Sequence, residues 1–127
     1  MAIGGISLIV AGVSIFNVMM MSVMERYREI GILRSIGTKK AEVRSMFIYE
    51  SLILGISGSV TGGILSLIGG YAAIALILHD TSYFFTFSSL IQVPYGMAFG
   101  IATSMLSGLY PAWKASELKP IDALRHE

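Results

Sequence analysis

The sequence predicts an all-α fold of polytopic membrane helices, with three transmembrane spans and a short amphipathic helix between the first two. Three observations predict it. All nine Lys and Arg residues lie in two blocks, residues 25 to 44 and residues 114 to 125. Residues are 54% hydrophobic and 13% charged, where a soluble domain carries roughly a quarter charged residues. Mean hydropathy is +0.73. A soluble fold of 127 residues with this makeup would expose more Leu, Ile, Val and Met than water tolerates.

Residues 2–24, 52–78 and about 92–112 each offer the ~20 mostly apolar residues that cross roughly 30 Å of hydrocarbon. The first begins straight after Met1, without a basic leader region or a small-residue cleavage motif, so it reads as a span and not as a signal peptide. A chain that opens inside a span is expected to be a piece of a longer protein. Short cytoplasmic flanks collect Lys and Arg, which places both basic blocks on one side. The first span then runs inward, segment 25–50 is cytoplasmic, and the second span runs outward. Residues 79–91 form the outer loop, the third span returns, and 113–127 is a cytoplasmic tail. The outer loop has no Lys or Arg, and Tyr83, Phe84, Phe85 and Phe87 suit an anchor at the headgroup level better than a ligand-binding loop.

Small residues mark the packing faces. Ser51, Gly55, Ser59 and Gly63 recur at every fourth position of the second span, beside a neighbouring row of Gly58, Gly62, Ser66 and Gly70. Gly96, Gly100, Ser104, Gly108 and Ala112 do the same in the third. Such rows let backbones approach closely where lipid removes the hydrophobic drive for association. Whether the partner is in the same chain or in a second copy is left open by the spacing.

Segment 25–50 carries the most information. Tyr27, Ile30, Leu33 and Ile36, three apart, form an apolar stripe, and Arg26, Glu29 and Arg34 lie off it. Gly37 suits the residue after a helix because it accepts positive φ, and Thr38 is the expected N-cap of the next helix. From Lys39 a pattern without Pro runs into the second span, predicting a helix of about forty residues and roughly 60 Å. The surface helix has two readings, an interfacial hairpin or a docking knob for a cytoplasmic partner. Further on, Pro111 is expected to end or kink the third span, Trp113 and Lys114 to anchor it, and Pro120 to start a last short helix through Leu124. Ile121 and Leu124 would face the overhang of the second span.

Catalytic motifs are missing. A P-loop needs two Gly separated by four residues, then Lys and Ser or Thr, after a strand. Gly31 and Gly37 are separated by five, in a helical context. Cys is absent, and His79 and His126 fall on opposite sides of the expected topology, so they share no metal. A net charge of +1 gives no argument for nucleic acid. Glu50 is the acid nearest the hydrocarbon, and a structural role, snorkelling or pairing with a tail residue such as Lys114, is favoured over a functional one.

The run Glu25-Arg26-Tyr27-Arg28-Glu29-Ile30-Gly31-Ile32-Leu33-Arg34-Ser35-Ile36-Gly37, followed by Glu50 and a Gly-rich span, resembles the coupling region of FtsX-like and MacB-like ABC transporter permeases. The ending, Tyr110-Pro111-Ala112-Trp113 and then Pro120-Ile121-Asp122-Ala123-Leu124-Arg125, is similar to that family's closing motif. Members usually have four spans, with a large outer domain after the first. The resemblance therefore implies a C-terminal three-span portion in a prokaryotic cytoplasmic membrane, beside a second permease copy. It further implies that ATP and Mg are bound by a partner ABC ATPase and that this chain holds no cofactor. Glu25, Arg26, Arg28, Glu29, Gly31, Arg34 and Gly37 are the implied ATPase-docking positions. Close approach of the ATPase would justify Gly31, which costs about 1 kcal/mol relative to Ala. Exchange of Arg34 for Glu is expected to uncouple ATP hydrolysis.

The favoured reading is a non-catalytic permease subunit that couples ATP hydrolysis by a partner to extrusion, lipoprotein release or force transmission. A self-assembling pore independent of ATP is the alternative, with only Ser, Thr, Asn17 and Gln92 to line it. An intramembrane enzyme would need paired ionisable groups within the spans, and the spans have none.

Overall fold

The computed structural model describes residues 2–78, 90–119 and 121. Most of the predicted outer loop, the helix from Pro120 to Leu124, and both His residues lie outside the described residues. Four helices follow one another: α1 (Ala2–Glu25), α2 (Tyr27–Ser35), α3 (Lys40–Leu78) and α4 (Gln92–Ser116). Among the described residues there is no strand, and the fold is all-helical. By length and hydropathy α1 and α3 are suited to cross a bilayer. The 25-residue α4 is long enough, but its Gly, Ser, Thr, Tyr and Pro make it less apolar than those two.

α4 packs chiefly against α3 and secondly against α1, while α1 and α3 barely meet. The buried core sits at the charged end of the bundle, where Met19 and Val23 of α1, Ile30 of α2, Val43 and Phe47 of α3, and Ala112 and Ala115 of α4 converge. Away from this end the helices expose large apolar side chains, Ile3, Ile9, Ile53, Leu65, Ile77, Phe99 and Leu106 among them. Helices that are apolar nearly all round suit lipid as solvent.

The break between α1 and α2 is one residue wide. Arg26, at φ −98° and ψ 13°, leaves the α region, yet its amide still donates to Ser22 and its carbonyl accepts from Ile30. The turn after α2 is a Schellman motif: Thr38 N–H donates to the Leu33 carbonyl and Gly37 N–H to that of Arg34, with Gly37 at φ +102°. The next helix starts one residue later than expected, at Lys40. Lys39 takes the N-cap position in place of Thr38, and the Glu42 carboxylate accepts its amide at 3.0 Å, half of a capping box. Replacing Gly37 by Ala is expected to cost about 1–2 kcal/mol, because an L side chain is strained at that φ. Chemical unfolding of the purified protein in detergent, followed by helical signal, checks it.

Two expectations are corrected in α4 and beyond. Pro111 does not end the helix, which continues through it to Ser116. The ring removes one backbone donor, but Pro111, Ala112, Ala115 and Ser116 are all buried, and helices in apolar surroundings tolerate Pro where neighbours pack around it. In the tail, Ile121 is 75% exposed, and the residue that reaches the core is Leu118.

Candidate functional site

Two structures built by the sequence stand out, a toothed seam between α3 and α4 and the charged end that holds α2. In α3, Val43, Phe47, Ser51, Gly55, Ser59, Gly63 and Leu67 form one row, every fourth residue, turned inward along the helix. Its small members mesh with α4. A Cβ added at Gly108 would lie 2.5 Å from the Ser51 Cβ, one at Gly55 2.8 Å from the Ser104 Cβ, and one at Gly100 2.7 Å from the Ser59 Oγ. Gly63 faces Met97 and Val93. The Ser104 hydroxyl crosses the seam and donates to the Ser51 carbonyl at 2.6 Å, while Ser51 donates to Ile48 at 2.8 Å, so both fully buried hydroxyls are satisfied.

Of the eight packing residues read from spacing, Ser51, Gly55, Ser59, Gly63, Gly100, Ser104 and Gly108 come together in this seam. Gly96 does not, and a Cβ there would meet nothing within 4 Å. Gly58 and Gly62 of the neighbouring row are open in the same way and border a cleft of about 600 Å³ between α3 and α4. Sequence reasoning missed Gly12, where a Cβ would lie 3.0 Å from the Ser107 Oγ and 3.3 Å from the Thr103 Cγ2. A signal was available: Thr103 and Ser107 stand four apart on another face of α4, and Gly5 and Gly12 stand seven apart in α1. Phe16 and Tyr110, with ring centroids 5.8 Å apart, and then Tyr110 and Trp113 at 6.2 Å, extend the α1–α4 contact toward the charged end.

At the charged end, Ile30 and Gly31 are buried, and Tyr27 and Leu33 are half-buried. Ile36, the last position of the expected stripe, is 75% exposed because the helix has already closed. The seven implied docking positions therefore separate. Glu25, Arg26, Arg28 and Glu29 are exposed. Arg34 is half-buried, donates from Nη1 to the Thr38 carbonyl at 3.3 Å, and has a buried Nε without a hydrogen-bond partner among the described residues. Gly31 is enclosed within the chain itself, and Gly37 serves the turn. Burial thus takes Gly31 off the surface, while Arg34 stays half-buried and Gly37 exposed.

Glu50 does not pair with Lys114. Ser22 of α1 donates to its Oε1 at 3.4 Å, a weak bond between α1 and α3. The ion pair between tail and overhang is Lys40 with Glu117, at 2.8 Å. The hydrogen bond from Lys40 is the main cause that holds the Glu117 carboxyl below its ordinary value of 4.5, against an opposing desolvation and with the fields of Lys40, Arg44 and Arg34 adding to it. A lowered carboxylate contributes stability that is present above its ordinary value and lost as pH falls through the lowered one. Both groups are well exposed, so the contribution is small and salt-sensitive. The expected result is a slight excess of thermal stability over Lys40→Gln at neutral pH, which vanishes below pH 4.5 and in high salt; melting curves across pH check it.

The seam and the seated α2 span the region that comparison with known proteins picks out. The family model described as FtsX-like permease C-terminal matches residues 1–120. An uncharacterized ABC transporter permease of Methanocaldococcus jannaschii is 52% identical over 100% of this chain and 34% of its own length. The uncharacterized ABC transporter permease YknZ of Bacillus subtilis is 38% identical over 99% of the chain and 30% of its own length. The macrolide export ATP-binding/permease protein MacB of Bdellovibrio bacteriovorus is 36% identical over 99% of the chain and 19% of its own length. The chain thus spans about a third or less of the relatives it matches. All four helices and the Pro111 turn of sequence fall inside the matched residues, and the chain belongs to the FtsX-like permease C-terminal family.

Proposed function

We propose that this chain is the C-terminal membrane portion of a permease subunit of an ABC transporter or mechanotransmission complex. In this reading α1, α3 and α4 are three spans in the cytoplasmic membrane of a prokaryote, and the charged end faces the cytoplasm. ATP is hydrolysed by an ABC ATPase, as a separate subunit or, as the name ATP-binding/permease protein indicates for MacB, in the same polypeptide. A second permease copy completes the assembly.

The observation that carries the reading is the exposed charged face of α2. Arg28 and Glu29 of α2, with Glu25 and Arg26 just before it, are exposed, and the other side of α2 is anchored by Ile30 in the core to which all four helices contribute. Arg presents a planar fork suited to carboxylates on a partner, and a face of both signs selects orientation. A push on α2 reaches α3 through the Schellman turn and through the shared core. It then runs along an unbroken helix of 39 residues, about 60 Å, to the far side.

The test is co-purification of the intact permease with its ABC ATPase, wild type beside Glu25→Arg, Arg28→Glu. Loss of the ATPase from the variant supports docking through α2. Equal recovery with both would sink it.

A further inference from the structure

We propose that the cleft between α2 and α3 binds the headgroup of an amine-bearing phospholipid of the phosphatidylethanolamine type. The cleft holds about 450 Å³. Three charged residues line it, Arg26 from the break before α2, Glu29 from α2 and Glu50 from α3, above an apolar wall that includes Phe47, Ile53 and Leu54. No ion pair forms among these three within 4.0 Å, and the ion pair of the described residues is Lys40 with Glu117. Glu50 has only the 3.4 Å contact from Ser22. Arg26 and Glu29 are exposed and Glu50 is half-buried, so all three charges are free to meet a ligand of complementary charge beside the apolar wall.

Position and charge count select the ligand. Glu50 stands where α3 passes from its charged overhang into its apolar length. Below it Ile53 is 66% exposed and Leu54 39%, a track on which an acyl chain can lie. One guanidinium and two carboxylates disfavour a simple anion, which would face both carboxylates. A simple cation would leave Arg26 unmatched. A zwitterion with a phosphate for Arg26 and a primary ammonium for Glu29 and Glu50 satisfies all three. A quaternary ammonium has no N–H to donate, and a soluble zwitterion has no chain for the apolar wall.

This inference rests on the membrane placement proposed above; the cleft shares Arg26 and Glu29 with the proposed docking face, and Glu50, outside that face, separates the two tests. The intact permease, purified without its ATPase, is reconstituted into nanodiscs with equal amounts of phosphatidylethanolamine, phosphatidylglycerol and phosphatidylcholine of matched chains. Retained lipid is read by native mass spectrometry after release into mild detergent. Phosphatidylethanolamine is expected to be retained about tenfold over the other two, the worth of one hydrogen bond to a charged group. Glu50→Gln is expected to bring the three to parity, and Ser22→Ala to leave the preference intact. Equal retention by wild type, or an unchanged preference in Glu50→Gln, overturns the site. So does loss of the preference in Ser22→Ala, since the carboxylate would then act only through α1. The Glu25→Arg, Arg28→Glu variant keeps the lipid preference if docking alone fails.

Discussion

Gly108→Ala is expected to destabilise the protein by about 1–3 kcal/mol, the usual cost of forcing extra volume into a packed seam. The new methyl would stand 2.5 Å from the Ser51 Cβ and 2.7 Å from its Oγ, on a side chain that is fully buried. Relief requires the two backbones to separate, which would also stretch the 2.6 Å bond from Ser104 to the Ser51 carbonyl. Adding Ser51→Gly in the same chain is expected to recover most of the loss. It vacates the clashing volume and keeps the carbonyl that Ser104 needs, against a helix-propensity cost of about 1 kcal/mol. Gly58→Ala and Gly96→Ala, where a Cβ meets nothing within 4 Å, are expected to be neutral or to stabilise by up to about 1 kcal/mol. Unfolding in mixed micelles, followed by circular dichroism, measures all of these. The toothed seam is wrong if Gly108→Ala behaves like Gly58→Ala.

The second large effect is expected from the charge-reversed docking face. On the proposed reading, Glu25→Arg with Arg28→Glu weakens capture of the ABC ATPase by at least about tenfold, or 1.4 kcal/mol, because each new charge meets a like charge on the partner. Thermal unfolding of the permease alone is expected to stay at the wild-type value, since both side chains are exposed. Arg34→Glu serves as the contrast. It removes the bond to the Thr38 carbonyl and places a carboxylate beside buried backbone, so a defect there reports damage to the Schellman turn as much as to docking. If the two variants lose the ATPase equally while only Arg34→Glu melts early, docking and support are separable. If the surface pair retains the ATPase in full, the docking face lies elsewhere.

The order of the four helices was legible because each signal is local. Apolar runs of twenty residues, the glycine at position 37, and rows of small residues four apart each report on one helix or one turn. The pairing of rows was partly legible. Spacing alone identified Ser51 through Gly63 and Gly100 through Gly108, since a helix with a smooth face must spend it on another backbone. What spacing left open was which of two rows on α3 faces α4, because Gly58 and Gly62 are as small as Gly55 and Ser59. The structure resolves it through the residues before the row: Val43 and Phe47 continue the line of Ser51 into the core, and no such anchor extends the other.

The charged end was the least legible. Gly31 reads in sequence as an invitation to a partner, yet a buried glycine and a docking glycine look alike until the neighbours are known. Pro111 was read as a stop or a kink, and the stop fails because its penalty is local while the burial that outweighs it is not. Thr38 lost its capping place to Lys39, whose amide the Glu42 carboxylate accepts. Glu50 and Lys114, close in the expected topology, form no ion pair in three dimensions. Glu50 meets Ser22 of α1 and the tail pairs with the overhang through Lys40 and Glu117, contacts set by helix rotation, which no spacing rule supplies.

The meshed row of Ser51, Gly55 and Ser59 against Gly108, Ser104 and Gly100 behaves like a rack and its counterpart. Two such helices slide along each other only by whole teeth, and one tooth is four residues, about 6 Å. Displacements smaller than that carry α3 and α4 together, under tension as well as compression. α1 barely touches α3 and joins this pair chiefly through α4, so it is the long helix that no such rack ties to α3.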